Sequence, residues 1–565
     1  MTTNEISGTY ASGITLTSDA FDNPVTVTAA ADISGGTQGA IAAGTAWTID
    51  NSGQVSGTSV GVYFYAGGSV TNTGAGDIDG GNYGVFAARA AGTIDNASTI
   101  SSTGGVGVFL GAGGAITNET HGVISGHRGI VFDGATAEAT LINAGAITAT
   151  AGTAISMYLG TVINSGDISA TDGTGILLQT GGTITNTASA TIDATTGTGI
   201  YGGAQSTTIE NAGTIGGAFQ AVYFTGTAAN RLIVDAGAVF DGAVVANSSG
   251  TNTIELTSGA VAGTLSGLGS EYQGFQTVTV DSGASWTVAG TVDGFGSATI
   301  QGLTDADRLD LTDVTFSSGD TVNLDSGTDI LTVKDAGGAV LDTVHLAGSF
   351  ANEFFHLADD GNHGTYVTED EAPCYCRGTL ILTDKGEVAV EALSIGDRLV
   401  TKSGEARPIR WIGMRSFNGQ FVANNRNILP VLIKADALAD NVPKRDLWVS
   451  PLHTMYLDNV LIPAFALVNG TSICQAESVD RVEYFHMELE SHDVIVAEGA
   501  LSESFTDDDS RNTFGNAAEY RRLYPDTIRK PAEYCAPIVE DGELLENVRR
   551  RIAARVEDER MSWAA

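Results

Sequence analysis

The first part of the chain contains short runs of alternating apolar and polar residues that recur at a nearly constant spacing. Eight of these runs end in Asn, in segments such as "WTIDN" and "TIDN", and successive Asn residues are 21 to 25 positions apart. A second series, from Gly61-Val62 to Ala221-Val222, keeps the same spacing. Alternation with a period of two is typical of β-strands. A repeat of about 23 residues therefore predicts a β-solenoid. The eight Asn residues are Asn51, Asn72, Asn96, Asn118, Asn143, Asn164, Asn186 and Asn211.

The repeats predict an interior of stacked Val, Ile and Leu side chains, with Gly and Asn at the corners. Coils that stack at about 4.8 Å would bring the Asn residues into a hydrogen-bonded ladder, which we favour over a stripe of binding residues. The pattern resembles the right-handed parallel β-helix of autotransporter passengers and related bacterial adhesins. We predict β-helix repeats over residues 1–229 and a continued solenoid or capping β module over residues 230–371.

The charge of the chain is strongly negative. The 565 residues carry 27 Lys and Arg against 66 Asp and Glu, and residues 1–373 hold five of the former against 36 of the latter, a net charge of −31. Such a field repels nucleic acid and anionic membranes. The acids at Asp305, Asp307, Asp310 and Asp313 resemble a Ca²⁺ site only weakly, because glycine-aspartate nonapeptide repeats are absent. We expect solvated turn acids there.

The sequence lacks the usual signals for membrane insertion. No run of 18 apolar residues exists, and the N-terminus has no charged start followed by an apolar segment. We therefore expect no membrane span and a secreted or cell-surface protein that uses a route other than the Sec pathway.

Chemistry-bearing residues are concentrated in three separated blocks after residue 372. The first, "PCYCRGTLIL", begins with Pro373 and Cys374. The second, "DLWVSPLHTMYL", contains Ser450 and His453, and the third, "VEYFHMELESHDVIVAEGALSES", contains two further histidines. A thiolate is a strong nucleophile near neutral pH, and an imidazole can move protons to and from it. His486 and His492 are the histidines of the third block.

In order and content the three blocks resemble a Hint (hedgehog/intein) autoprocessing domain, which we predict over residues 372–510. The resemblance implies that the Cys374 sulfur attacks the Pro373 carbonyl and turns the peptide bond into a thioester. The second block of the family is Thr-x-x-His, so His453 is implied to protonate the departing nitrogen, with Ser450 in the place of the Thr. His492 is implied to orient the site.

Two departures from the splicing pattern predict one-sided cleavage. Inteins end in His-Asn before a nucleophile, whereas Glu503 and Ser504 stand at those positions and cannot form a succinimide. His486 replaces a family carboxylate. The resemblance thus implies a single-turnover, cysteine-dependent cleavage after Pro373. Its substrate is the protein's own N-terminal segment, and water or a small nucleophile resolves the thioester.

Several alternatives compete with this reading. Cys374 and Cys376 could form a zinc site with His453 or His492, or a reversible redox pair. The protein could also be a structural adhesin that retains an inactive Hint domain and binds a surface ligand, or a carbohydrate-active β-helix enzyme.

We predict an all-β fold, no cofactor and no metal. For residues 511–565 we predict a tail with a helix that packs on the Hint domain or forms an assembly contact.

Overall fold

The computed structural model describes residues 3–563, apart from 37–39, 136, 305, 318, 326, 349–353, 371–372, 420–427, 508–510, 512–513, 526–532 and 540–541. Nearly all of its regular structure is β-strand. One large sheet system extends from Thr3 to Asp370, and two smaller antiparallel sheets lie in the part after Pro373. The prediction of an all-β fold with a solenoid at its N-terminal side is confirmed.

The solenoid consists of strands that pair in parallel with their counterparts in the next coil, residue for residue. Apolar side chains alternate inward along each strand and form one continuous buried core. The first ladder contains Phe21–Ser34, Trp47–Asn51, Gly68–Asn72, Gly92–Asn96, Gly114–Asn118, Ala139–Asn143, Ile155–Asn164, Ile176–Asn186, Thr207–Asn211, Arg231–Val234, Thr253–Leu256, Thr277–Val280 and Thr299–Gln301.

Two further ladders complete the described coils. The second contains Gln54–Gly57, Asp77–Gly80, Thr99–Ser102, Val123–Gly126, Ala146–Ala149, Asp167–Ala170, Thr191–Ala194, Thr214–Gly217 and Val239–Asp241. The third contains Ile14–Leu16, Ile41–Ala43, Val60–Phe64, Tyr83–Ala87, Val106–Leu110, Arg128–Phe132, Thr198–Gly202, Gln220–Phe224, Val244–Ala246 and Tyr272–Gln273. Between Arg128–Phe132 and Thr198–Gly202, the first residues of the long strands Ile155–Asn164 and Ile176–Asn186 continue this ladder. The strand Thr3–Tyr10 pairs with Phe21–Ser34 at the first coil.

The repeated Asn residues form the expected ladder inside the solenoid. Each side-chain amide donates to the Oδ1 of the Asn one coil further on, over seven successive bonds of 2.8 to 2.9 Å. All eight side chains are buried. Buried amides need such partners, because an unsatisfied polar group in the interior is costly. The ladder is therefore part of the core and offers no binding stripe to solvent.

The parallel pattern gives way to antiparallel strands towards residue 370. Gly263–Leu268, Trp286–Gly290 and Arg308–Leu311 still pair in parallel, and a short helix, Val292–Ser297, lies between coils. Antiparallel strand pairs then follow. This arrangement is the one expected of a cap, which protects the exposed end of a solenoid. Their strands are Thr321–Asp325, Ile330–Lys334, Val340–Ala347, Phe354–Asp359 and Thr365–Asp370.

The part after Pro373 is built from two antiparallel sheets. The first contains, in spatial order, Trp411–Asn418, Arg481–Glu488, Tyr375–Cys376, Leu447–Val449, Val431–Ile433 and Ile473–Gln475. The second contains Ala406–Pro408, Arg398–Val400, Leu380–Thr383, Val494–Ala497, Ala500–Glu503, Thr454–Leu457 and Val460–Pro463, with Gly386–Ala389 beside Leu380–Thr383. Two 3₁₀ turns cover Val390–Ala392 and Ala464–Leu467.

The C-terminal segment packs on these sheets. It contains the helices Ala517–Leu523 and Gly542–Trp563. Leu545, Val548 and Ile552 of the longer helix are buried in the same apolar core as the sheet residues. Arg511 is buried too, and its guanidinium donates to the Glu488 carboxylate at 2.5 Å. The longer helix thus contributes to the apolar core that also contains Tyr375.

Candidate active site

The three sequence blocks meet at the short strand Tyr375–Cys376. Tyr375 pairs with Val449 on one side and with Phe485 on the other, so the strand lies between the second and third blocks. Ser450 follows Val449 directly, and His486 follows Phe485. The sheet register therefore brings Cys374, Ser450 and His486 to one region from positions far apart in the chain.

Ser450 forms hydrogen bonds with both the backbone N–H and the backbone carbonyl of Cys374. The backbone N–H of Cys374 donates to Ser450 Oγ at 2.7 Å, and the backbone N–H of Ser450 donates to the Cys374 carbonyl at 2.9 Å. That Cys374 N–H belongs to the peptide bond with Pro373. Because both residues are buried, the first bond orients this amide plane and the second holds the carbonyl side of Cys374, without competition from water. The hydroxyl predicted from the Ser-x-x-His spacing thus lies at the bond expected to break.

His453 is buried completely and is held by its backbone. Its N–H donates to the Ser450 carbonyl at 3.1 Å, and its ring packs on Tyr375 with 4.1 Å between the ring centroids. Neither ring nitrogen has a hydrogen-bond partner within the described part of the chain. Burial, followed by the nearby His486 and His492, holds the pKa of His453 well below its usual range. The ring is therefore neutral at physiological pH, with one donor and one acceptor nitrogen.

His486 lies next to this ring. Its centroid is 5.0 Å from that of His453 and 5.8 Å from that of Tyr375, and its side chain is buried. Phe505 is a further ring neighbour of His486, at 5.6 Å between centroids. The position that carries a carboxylate in the related family is thus part of an aromatic cluster. His486 lowers the pKa of His453, as a second potential positive charge does.

His492 bridges two partners with its two ring nitrogens. Nε2 lies 3.4 Å from Glu503 Oε2, and Nδ1 accepts the backbone N–H of Cys535 at 3.0 Å. When the ring carries one proton, that proton lies on Nε2 and faces Glu503. Burial opposes a charged ring, but contacts with Cys535 and Glu503 outweigh burial and raise the pKa of His492 to about 9.

The cysteine thiols of the first block are held in the protonated form. Cys374 is fully buried, and burial, together with the nearby Cys376 and Glu503, raises the pKa of its thiol well above the usual range. Burial likewise raises the pKa of Cys376. Thiolate formation at Cys374 consequently requires a neighbouring base that removes the proton as the sulfur attacks.

Three residues at this site gave no clear signal in the sequence. Glu503 was notable only because it occupies the last position of the third block, yet its Oε1 accepts the Thr454 N–H at 2.7 Å and its Oε2 faces His492. Burial raises the pKa of its carboxyl group, although His492 opposes this effect. The Tyr375 hydroxyl lies 2.7 Å from Ser502 Oγ and donates to the Glu503 carbonyl at 2.9 Å.

The third residue is Cys535. It lies more than 30 positions beyond the third block, in a polar segment without a repeat, so no pattern could place it beside His492.

The zinc and redox alternatives for the cysteines find no support. All four cysteines are free thiols, and among the residues that the structure describes, no group of three His, Cys, Asp or Glu is arranged to hold a metal ion. Asp305 of the acidic cluster lies outside the described residues.

Comparison with known families agrees with this geometry. The family model described as "Hint domain" matches residues 373–509, which begin at the residue before Cys374 and include every predicted site residue. Residues 373–509 form a Hint domain. The predicted relationship is thereby confirmed for this part of the chain. The match ends before Arg511 and before Cys535, so the contacts of the C-terminal segment lie outside it.

Inteins are among the solved structures similar to the chain. They include a gp41-1 intein, with 12% identity, a TM-score of 0.18 and coverage of 23% of this chain and 98% of the intein. A DnaB intein from Synechocystis sp. PCC 6803 has 11% identity, a TM-score of 0.18 and coverage of 24% of this chain and 100% of the intein. No curated protein matches the chain. Among the described residues, no helix is both long and apolar enough to cross a membrane.

Proposed function

We propose that the Hint domain performs one intramolecular N–S acyl shift at the Pro373–Cys374 bond and thereby separates the β-solenoid from the C-terminal part. The observation that carries this proposal is the pair of hydrogen bonds between Ser450 and Cys374. They fix the amide nitrogen that must leave and the residue that carries the sulfur. Positioning of this kind supplies much of the rate advantage of an intramolecular reaction.

His453 is suited to the proton transfers of the shift. Attack by the Cys374 sulfur on the Pro373 carbonyl releases a thiol proton, and the departing nitrogen of Cys374 needs one. A neutral imidazole can accept the first proton at one nitrogen and donate from the other. Its low pKa and its unengaged ring nitrogens keep His453 available for both steps.

One-sided cleavage, rather than splicing, follows from the end of the domain. Splicing requires an Asn that cyclises, whereas Glu503 occupies this place and is engaged with Thr454 and His492. A carboxylate cannot provide the amide nitrogen of a succinimide. The products are then a solenoid that ends at Pro373 and a C-terminal part that begins at Cys374, after water or a small nucleophile has resolved the thioester.

The solenoid would act as a secreted or surface-displayed, adhesin-like module. Its strongly acidic composition suits a soluble protein that is displayed outside a cell, and its stack of coils offers an extended surface for a ligand. A ligand on its surface is part of this proposal, and nucleic acid is not, because its negative charge repels phosphates.

A structural protein that retains an uncleaved Hint domain is the second candidate. The raised pKa of the buried Cys374 thiol favours it, because a protonated sulfur is a weak nucleophile. Incubation of the full chain with a small thiol separates the two candidates. We expect two fragments on a denaturing gel, loss of both in Cys374→Ala, and their persistence in Cys376→Ala. A parent protein that stays intact under these conditions would favour the structural candidate.

A further inference from the structure

A segment beyond the Hint match docks beside the site. Its residues 537–539 lie along the edge strand Val460–Pro463: the Leu461 N–H donates to the Pro537 carbonyl, and the Val539 N–H donates to the Leu461 carbonyl, both at 2.8 Å. Leu461 and Ile538 form a parallel bridge there. Main-chain hydrogen bonds to an open strand edge are a common way in which an extended segment is held on a sheet.

The same segment orients His492. The backbone N–H of Cys535 donates to His492 Nδ1 at 3.0 Å, and Tyr534 packs on the imidazole with 5.3 Å between the ring centroids. The other ring nitrogen, Nε2, lies 3.4 Å from Glu503 Oε2. Because the bond at one nitrogen of an imidazole sets the direction of the other, the Cys535 N–H directs Nε2 at Glu503.

Glu503 connects His492 to both reacting residues. Its Oε1 accepts the N–H of Thr454, the residue after His453, at 2.7 Å. Its backbone carbonyl accepts the hydroxyl of Tyr375, the residue after Cys374, at 2.9 Å. Both bonds are buried, so water does not compete for them. A shift of Glu503 would therefore change the placement of His453 relative to Cys374.

A second connection from the segment also ends at His453. Thr454–Leu457 and Val460–Pro463 form an antiparallel hairpin that begins directly after His453. The N–H of Ala464, the residue after the hairpin, donates to the His453 carbonyl at 3.0 Å. Leu461, which holds the segment, lies within this hairpin. The segment thus contacts the surroundings of His453 from two directions.

On the basis of the proposed function, we infer that residues 533–539 are a positioning segment for the cleavage: through His492 and Glu503 they hold His453 in place beside the amide of Cys374. The segment supplies no reacting atom. Its contribution to His492 is a backbone N–H, so the side chain at residue 535 is not required. The Hint match ends at residue 509, so this function belongs to a part of the chain outside the matched domain.

Removal of one backbone N–H from the full chain tests this inference. Cys535→Pro lacks the N–H that reaches His492, and we expect thiol-driven cleavage at Pro373 to slow by about 10- to 100-fold, because small misplacements of reacting groups have effects of up to about 10²-fold. Cys535→Ala keeps the N–H and should restore the parental rate. Equal losses in Cys535→Pro and Cys535→Ala would overturn the inference.

Glu533→Pro is the matched control for the introduced proline. Glu533 is exposed in the same segment, and its N–H has no hydrogen-bond acceptor among the residues that the structure describes. This variant should cleave like the parent. A loss as large as that of Cys535→Pro would mean that any proline in the segment is harmful, which contradicts a specific role of the Cys535 N–H.

A double-mutant cycle with His492→Phe separates positioning from a general loss of structure. Phe keeps an aromatic ring but lacks both nitrogens, so it breaks the same connection to Glu503. If the segment acts through His492, adding Cys535→Pro to His492→Phe should slow cleavage by less than about 2-fold more. Independent losses that multiply would overturn the inference, because a merely structural effect of the proline does not depend on His492.

Val539→Pro provides a second variant in case Cys535→Pro does not fold. It removes the N–H that donates to the Leu461 carbonyl and so releases the segment at its docked end. We expect slower cleavage here too, again with little further effect in the His492→Phe background. The fluorescence of the buried Trp411 reports whether the C-terminal part of each variant is folded.

The failure of this inference differs from that of the proposed function. If a folded Cys535→Pro or Val539→Pro protein cleaves at the parental rate, residues 533–539 position nothing, and the acyl shift at Cys374 still stands. If no form of the protein cleaves even with thiol, the acyl shift itself is wrong, and the inference falls with it.

Discussion

At the scale of single residues, the site depends on two different kinds of contribution. Ser450 provides one hydrogen bond to the amide of Cys374, whereas His453 is the group suited to move protons. We expect His453→Ala to slow thioester formation by about 10² to 10⁴-fold, the usual effect of losing a general acid or base. Ser450→Ala removes about 0.5 to 1.5 kcal/mol, or roughly 2- to 10-fold in rate.

These two effects are measured as rates of thiol-driven cleavage of the full chain. Ser450→Thr is the matched control, because it keeps the hydroxyl and should stay close to the parent. Equal losses in Ser450→Ala and His453→Ala would mean that both act through the shape of the site and that His453 moves no proton.

The raised pKa of Cys374 gives a second prediction at this scale. A thiol with a raised pKa stays protonated over a wider pH range, and neutral His453 takes its proton as the sulfur attacks. The same reactive pair is therefore populated from pH 7 to 9.5, and with saturating hydroxylamine, which is already unprotonated above pH 7, we expect the cleavage rate to change little over this range. A rate that rises about 10-fold per pH unit and levels off near pH 8.5 is the behaviour of an ordinary thiol that reacts as a preformed thiolate, and it would contradict the buried, protonated thiol.

At the scale of elements, the asparagine ladder is a test of the solenoid core. Asn118→Ala leaves the buried Asn143 Oδ1 without its ladder donor, whereas the Asn96 amide loses one acceptor and keeps its bonds to the Ser98 and Val123 carbonyls. An unsatisfied buried group costs about 1 to 3 kcal/mol. The denaturant midpoint of the solenoid should therefore fall clearly. Asn82→Ala removes only an exposed bond to Ser59 and should change stability by no more than about 0.5 kcal/mol; equal effects would refute the ladder's structural role.

The terminal helix offers a second test at this scale. Ile552 is buried against the Hint sheets, so Ile552→Ala should destabilise that domain by about 2 to 5 kcal/mol. Asn547→Ala, on the exposed side of the same helix, should change its stability by no more than about 0.5 kcal/mol. Denaturation monitored by the fluorescence of the buried Trp411 measures both variants. A midpoint unchanged in Ile552→Ala would mean that the helix contributes nothing to the core.

The two parts of the chain differ in how much their sequences reveal. The solenoid repeats the same contacts in every coil, so the spacing of Asn51 to Asn211 was enough to predict the ladder. The site in the Hint domain brings together residues that are far apart in the sequence. Its motif identified Cys374, Ser450 and His453 but did not predict the contact between His492 and Cys535. That contact depends on the docking of residues 533–539 beside Leu461, which leaves no local pattern in the sequence.

At the scale of the whole molecule, a stable repeat structure is joined to a domain suited to a single reaction. The solenoid carries most of the negative charge, and the described sites of chemistry lie after residue 372. Cleavage at Pro373 would separate the hydrophobic core of the solenoid from the two hydrophobic clusters of the C-terminal part, because each of these is formed by residues from one side of that bond. Both products should therefore stay folded after the cut.

The most direct test of the central claim is the intact mass of the fragments formed when the full chain is incubated with 2-mercaptoethanesulfonate. An acyl shift at Cys374 predicts one fragment that ends at Pro373 and carries the thiol as a C-terminal thioester, and a second that begins with a free Cys374. The Cys374→Ala protein should give neither. A fragment that ends at Pro373 with a plain carboxylate in both proteins, or a Cys374→Ala protein that is cut as readily as the parent, would contradict the account.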